Sequence, residues 1–300
     1  MPSVGDTEHS VGEFTVGLLH PGTMGTAVGA ALVARGVPVR WVSAGRGPAS
    51  RQRAAEAGFV ETSDFDALAG CRIVLSICPP TAATAVAAQV AATGFGGIYV
   101  DANAISPEHA AGLGALFRPE VRVVDGGIVG PPPRSAGTTR LYLSGSAAAT
   151  VAELFEGGPL RTIVLDGPVG RASALKLGFA SYNKLTFALA AQSYALAAQH
   201  GVEAELRELA GETLPDTPLG QPAQLRSAGQ KAWRWEGEMA EIAAAIEAAE
   251  LSPDLLTAVG ALFARWREHR DDEDVTVAEL LAALRVSAPG AGPPRGRRPR

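Results

Sequence analysis

Between residues 15 and 165 the chain repeats one alternation, a short apolar run and then an alanine-rich stretch, and after residue 166 no further run of that kind occurs. The runs are Thr15–Leu19, Val39–Ser43, Ile73–Ile77, Ile98–Asp101, Val121–Asp125, Arg140–Ser144 and Thr162–Leu165. Most are apolar at successive positions rather than at every second one, the pattern of parallel strands covered on both faces. Between the early runs lie Thr26–Arg35, closed by Gly36, and Ala82–Thr93, closed by Gly94. Glycine just past a helical stretch is the signature of a left-handed helix cap. Strand, helix, strand repeated in this way predicts a doubly wound α/β domain of Rossmann type over residues 14–165.

From residue 166 the pattern is helical, with candidates at Arg171–His200, Glu203–Glu212, Gln221–Ala249, Pro253–Arg270 and Val275–Leu284, so an all-helical second domain is expected over 166–286. The first of these would span ~45 Å at 1.5 Å per residue. Leu175, Leu177, Phe179, Leu185, Phe187, Leu189 and Leu196 lie all around it, which predicts burial on most sides. A single small helical domain cannot supply that much cover, and a homodimer packed through the helical domains is expected. Residues 1–13 are polar, lack the basic-then-apolar order of a secretory signal, and are expected to be flexible. Residues 287–300 are proline, glycine and arginine with no apolar content beyond alanine and read as a disordered, solvated tail.

Composition narrows the function. The 300 residues carry 26 basic and 31 acidic side chains for a net charge of −5, which disfavours a nucleic-acid partner. Cys71 and Cys78 are the only cysteines, too few for a disulfide scaffold or a four-thiolate zinc site. The 5 histidines, His9, His20, His109, His200 and His269, show no metal-ligand spacing, so no metal is expected. No apolar run reaches the length of a membrane span, and a cytoplasmic protein is expected. Of the 26 basic residues only Lys176, Lys184 and Lys231 are lysines. A primary amine retained in so arginine-rich a chain is a better functional candidate than an average lysine.

The strand Thr15–Leu19 runs into His20-Pro21-Gly22-Thr23-Met24-Gly25 and then a helix. This is close to the dinucleotide fingerprint GxGxxG in its strand–turn–helix setting, with His20 in place of the first glycine. Gly22 would let the backbone approach a pyrophosphate, Gly25 would let helix and strand pack closely, and the amides of Thr23 and Met24 would face the phosphates. The second strand should choose between cofactors. It ends in Ser43, followed by Arg46 and Arg51, with no acidic residue before Glu56. A hydroxyl and guanidinium groups suit the 2′-phosphate of NADP(H) better than the bare ribose of NAD. Cys78 and Pro79, after the strand Ile73–Ile77, and Asn103 are further expected cofactor contacts.

With these motifs the chain resembles the β-hydroxyacid dehydrogenase superfamily, of 3-hydroxyisobutyrate dehydrogenase and 6-phosphogluconate dehydrogenase type. It is most similar to a branch whose fingerprint reads HPGxMG, as His20–Gly25 does. Asp101-Ala102-Asn103-Ala104-Ile105-Ser106-Pro107 looks like the superfamily's substrate loop after its fifth strand. Asp125-Gly126-Gly127-Ile128-Val129-Gly130 is similar to its second, glycine-rich substrate loop. The resemblance therefore implies substrate contacts at Asn103, Ala104, Ser106, Val129 and Gly130. Gly170, followed six residues later by Lys176, matches the spacing before the family's catalytic lysine. The asparagines that follow this lysine in hydroxyisobutyrate-type members are replaced by Phe179 and Ala180. Asn183, about two helical turns on from Lys176, lies on nearly the same face and can take over part of their role. The string Ala232-Trp233-Arg234-Trp235-Glu236-Gly237-Glu238-Met239 also resembles the branch, and Trp233, Trp235 and Glu238 are candidate substrate contacts.

Hydride transfer at a nicotinamide needs a proton donor or acceptor at the substrate heteroatom. A lysine whose pKa is lowered by desolvation suits this, and Lys176 is the first candidate. Lys184, ~80° further around the same helix, could bind a substrate carboxylate or be the proton donor itself. The expectation is an NADP-dependent oxidoreductase acting on a small β-hydroxyacid or related carbonyl compound. An imine or enamine reductase is the second reading, and a non-catalytic NADP(H)-binding protein the third.

Overall fold

Each of the apolar runs becomes a strand in the computed structural model, which describes residues 15–285. The segment expected to be flexible, 1–13, and the expected tail, 287–300, lie outside the described residues. The strands are β1 (Val16–Leu19), β2 (Val39–Val42), β3 (Val60–Thr62), β4 (Ile73–Ser76), β5 (Ile98–Asp101), β6 (Arg122–Val129), β7 (Thr139–Ser144) and β8 (Leu160–Val164). They form one 8-stranded sheet in the order β3-β2-β1-β4-β5-β6-β7-β8. From β3 to β6 every pairing is parallel, whereas β6 and β7 pair antiparallel. The connection at 130–138 is too short for the crossover helix a parallel neighbour requires, so the chain turns back on itself.

Successive residues of one strand enter opposite cores. Val16, Leu18, Ile73, Leu75, Ile98 and Val100 pack on one face, and Leu19, Val74 and Tyr99 on the other. This two-sided burial is the physical reason for the unbroken apolar runs. Helices α1 (Thr23–Val33), α2 (Pro48–Glu56), α3 (Ala83–Ala92), α4 (Pro107–Gly112) and α5 (Ala148–Glu153) belong to this half of the chain. Three of them, α2, α4 and α5, and the strand β3, were not expected from the sequence; all are short, and α2, with Arg51 exposed and Arg53 half-buried, has little apolar periodicity.

The remaining helices are α6 (Arg171–Gln199), α7 (Glu203–Thr213), α8 (Gln224–Ala248), α9 (Asp254–Ala264) and α10 (Val277–Ala283). The expected helix Pro253–Arg270 is shorter, passing into a 3₁₀ turn at Arg267–His269. By compactness the chain divides into a unit running to Ser181 together with Ala240–Pro253, and a unit of Tyr182–Met239 together with the chain from Asp254. The change to all-helical sequence comes at residue 166, but the division falls later, inside α6 and α8. In the second unit Phe263 and Trp266 are fully buried, and the Trp266 indole N–H donates to the Leu280 carbonyl at 2.9 Å. Gly229 lets α8 pack directly on Leu280, for a Cβ there would come within 2.5 Å of that side chain.

The expectation that α6 is buried on most sides is corrected. Leu175, Phe179, Tyr182, Leu189 and Leu196 are exposed, the last three at 73%, 57% and 63%. A helix that is apolar all round still meets only the neighbours that one chain provides. Among the described residues no helix is long and apolar enough to cross a membrane.

Candidate active site

The sheet order reverses between β1 and β4, and in an open parallel sheet ligands bind beyond the carboxyl ends of the strands at such a switch point. Beyond β1 stands the turn His20–Gly25. His20 occupies the position of the fingerprint's first glycine and has a left-handed backbone, with φ +64. A non-glycine residue rarely adopts this left-handed conformation, and histidine is one of the types that does so more often. The turn is closed by the Gly22 N–H donating to the His20 carbonyl at 2.8 Å. A Cβ on Gly25 would lie 2.5 Å from that same carbonyl oxygen, so only glycine lets the helix start so close to the strand. A Cβ on Gly22 would meet nothing within 4 Å, and no side chain caps the first turn of α1. Thr23 is exposed and Met24 half-buried beside the core. Open space over a glycine and uncapped amides are what a phosphate needs.

The β2 end supplies the charge. Ser43 is buried, and its carbonyl accepts from Arg51 at 3.3 Å. Arg46 donates to His20 Nδ1 at 3.3 Å, while its buried Nε has no partner. Burial first, and then the positive Arg46 beside it, push the His20 pKa down to about 4, so the ring is neutral near pH 7 and Nδ1 can accept. An orphaned buried donor is rare enough to call for a ligand, and an anion fits it. Two residues that the sequence did not single out also belong here. Arg53 of α2 holds the turn by donating to the Pro21 carbonyl at 3.1 Å, and Glu61 of β3 pairs with Arg51. Glu61 had no signal in the linear sequence because it arrives from a neighbouring strand.

Beyond β4 and β5 a buried polar network gathers around Asn103. Its Oδ1 accepts from the Cys78 N–H at 2.6 Å, and its amide donates to Ser76 Oγ at 3.1 Å and to Asp101 Oδ2 at 2.7 Å. The side chain of Asn103 therefore braces the loop after β4, the one carrying Cys78 and Pro79. Burial, above all, raises the Cys78 thiol to about 11, so it stays protonated and unreactive at neutral pH. Burial likewise raises Asp101 to about 7; Asn103 opposes the rise through its hydrogen bonds, neighbouring Asp125 adds to it, and Lys176 pulls it down. Ala104 is buried. Ser106 is committed to structure: its hydroxyl accepts from the His109 N–H to cap α4, and its own N–H donates to Glu241 at 2.7 Å.

The segment expected to be a glycine-rich loop is corrected. Asp125–Val129 is the second half of β6, paired residue by residue with β7, and only Gly130, at φ +121, leaves the strand. Asp125, Gly126, Gly127 and Ile128 are buried and Val129 is partly exposed at the strand end. Lys176 stands in the second turn of α6, and a Cβ on Gly127 would come within 3.1 Å of its Cβ.

In the second unit Lys184 is 7% exposed and forms a 2.9 Å ion pair with Glu238. Its amine also lies 5.4 Å from the ring centre of Trp235, which packs against Phe187 and Phe263. Trp233 does not join this group. Two residues apart on a helix, the indoles face different ways, and Trp233 instead carries Arg270 over its face at 3.9 Å. Of the candidate substrate contacts on α8, Trp235 and Glu238 thus stand with Lys184, and Trp233 stands apart from them. Asn183 is exposed.

Residues 197–266 match the model of a domain of unknown function (DUF1932). No curated relative matches the chain. A conserved protein of unknown function, described as structurally similar to 3-hydroxyacid dehydrogenases, is 28% identical, covering 85% of this chain and 98% of its own at TM-score 0.67. The 3-hydroxyisobutyrate dehydrogenase of Salmonella typhimurium is 18% identical over 90% of this chain and 99% of its own, again at TM-score 0.67. A reductive aminase from Aspergillus terreus is 19% identical over 91% of this chain and 100% of its own, at TM-score 0.56. Sheet order and likeness agree, and the chain has the 3-hydroxyacid dehydrogenase-like fold that 3-hydroxyisobutyrate dehydrogenase and reductive aminases share, with DUF1932 in its helical part.

Proposed function

We propose that this protein is an NADP(H)-dependent oxidoreductase that reduces, or forms by oxidation, a small carbonyl-type compound such as a β-hydroxyacid, with Lys176 as the general acid and base. The observation that carries the reading is the turn after β1: an open glycine, an uncapped helix start and an orphaned Arg46 donor stand together at the switch point. Gly22, Thr23 and Met24 would hold the diphosphate, and Ser43, Arg46 and Arg51 the 2′-phosphate. The cofactor supplies the hydride. Lys176 protonates the substrate heteroatom as the carbon is reduced and takes the proton back in oxidation. The related reductive aminase has been seen with NADPH, which supports the cofactor choice.

A second reading, an imine reductase, gains from Lys184. Its charge is already balanced by Glu238 and enclosed by Trp235, so it is not a spare cation waiting for a substrate carboxylate. NADPH consumption against keto acids, semialdehydes and cyclic imines decides between the two, and no turnover of any of them leaves the third reading, a binding protein.

Cofactor preference is tested by calorimetry. NADPH should bind at least ~10-fold tighter than NADH, the effect of one or two charge-assisted contacts, and Arg46→Ala should narrow the gap. Equal affinities for both cofactors would remove the assignment. We also propose that the protein is a homodimer packed through α6. Leu175, Tyr182, Leu189 and Leu196 recur every seventh residue, all exposed, as a continuous apolar stripe. Light scattering should give twice the 30.8 kDa chain mass, and Leu189→Glu with Leu196→Glu should halve it; a monomeric wild type sinks the claim.

A further inference from the structure

Strand β6 does more than the likeness to a substrate loop describes. Asp125, 1% exposed, lies at the start of α6 and gathers its first turn. Its Oδ2 accepts from the N–H groups of Gly170 at 3.0 Å and Ser173 at 2.9 Å, and its Oδ1 accepts the Ser173 hydroxyl at 2.6 Å. Ser144 of β7 completes the arrangement, donating to Asp125 Oδ2 at 3.1 Å and accepting from the Ala172 N–H at 3.2 Å. The helix is thus capped not by a residue of its own chain segment but by two strands of the sheet. Two positions along the same face of β6, Gly127 lets the helix sit flush. A Cβ there would lie 2.7 Å from the Ala172 carbonyl oxygen and 3.1 Å from the Lys176 Cβ, a clash with backbone that cannot swing aside.

We propose that Asp125 and Gly127 are positioning residues for Lys176, fixing the amine by fixing the seat of α6 on β6. The proposal rests on the reading of Lys176 as the proton-transfer group. A carboxylate at a helix N-terminus satisfies orphan amides and complements the helix dipole. Here it also ties the helix to a strand held on both sides by β5 and β7, so the first turns of α6 inherit the rigidity of the sheet. On this face of the sheet Asp101 of β5 stands opposite Asp125 of β6 in register, and on the other side of β6 Tyr142 and Arg140 of β7 stand opposite Gly127 and Val129. Lys176 already favours the charged form of Asp101, so the amine lies within electrostatic reach of that strand end.

Because the only lysines are Lys176, Lys184 and Lys231, the place of the amine can be read without knowing the substrate. Reductive methylation with ¹³C-formaldehyde gives each lysine an NMR signal of its own, assigned by Lys→Arg variants. Ser173→Ala removes one cap bond gently, and Gly127→Ala lifts the helix from its seat. Both should shift the titration midpoint of the Lys176 signal by about half a pH unit or more, while Lys184 and Lys231 stay in place. Both should also lower kcat about 10-fold with the Kd for NADPH unchanged, as expected for a misplaced catalytic group. Unmoved Lys176 signals in both variants, with thermal melting showing an intact fold, would overturn the proposal. That result is distinct from a fully active Lys176→Met enzyme, which would overturn the catalytic reading and with it any catalytic purpose of the seat.

Discussion

Lys176→Met is expected to leave the fold and the affinity for NADPH intact while lowering kcat by roughly two to four orders of magnitude, the usual contribution of a positioned general acid. Lys176→Arg should fare nearly as badly. A guanidinium with a pKa above ~12 neither gives up nor takes a proton readily. It is also bulkier, and the helix is seated on β6 too closely at Gly127 to shift freely. The comparison variant is Lys184→Met, and the buried ion pair changes what it should do. Removing that amine leaves Glu238 charged and only 16% exposed, so a loss of stability of about 3–5 kcal/mol is expected before any kinetic effect. Lys184→Met combined with Glu238→Gln removes both charges and should recover most of that loss. If the double variant is inactive while Lys176→Met turns over normally, the proton-transfer role belongs to Lys184. Steady-state kinetics beside chemical denaturation of the same preparations separates these outcomes.

The second large effect concerns pH. Asp101 has its carboxyl raised to about 7 in the folded protein, against about 3.9 in an unfolded chain. Between those values the folded form holds a proton that the unfolded form has released. Stability from this residue is therefore fully present below about pH 4 and is lost as pH rises toward 7, by up to about 1.4 kcal/mol per pH unit. His20 works in the opposite direction. Its pKa is depressed to about 4 by burial and Arg46, so the unfolded chain is the one that binds the extra proton, and stability rises with pH between about 4 and 6.5. The two slopes oppose each other in the wild type. Asp101→Asn is expected to unmask the His20 slope, so that the variant gains on the wild type steadily from pH 5 to pH 7. An amide does not reproduce the hydrogen bonding here, because each Asp101 oxygen accepts from a donor of Asn103 and an amide offers only one acceptor; that cost is the same at every pH. Urea denaturation at pH 5, 6 and 7 measures the difference, and a gap independent of pH would show that Asp101 does not titrate in this range.

Much of the fold was legible because it rests on local periodicity. Strands buried on both faces must be apolar at every position, so β1, β4 and β5 announced themselves, and the glycines after α1 and α3 marked where those helices had to stop. The turn His20–Gly25 was readable for the same reason: backbone curvature and close packing act within a few residues. The elements missed, β3, α2, α4 and α5, are those too short for any period to appear.

What the sequence determined by itself was therefore the class of fold, the dinucleotide-type turn and the long helix bearing two of the lysines. Only the tertiary structure decided which charges meet. Glu61 of β3 reaches Arg51 of α2, Glu238 reaches Lys184 from another helix, and Asp125 caps a helix far along the chain. It likewise decided that Asp125–Val129 is strand and not loop, because β7 pairs with it, and that Trp233 and Trp235 part company. The physical reason is common to all of these. Local patterns are written in neighbouring residues, whereas hydrogen bonds and ion pairs between distant segments depend on how the whole chain packs, which no single stretch of sequence encodes.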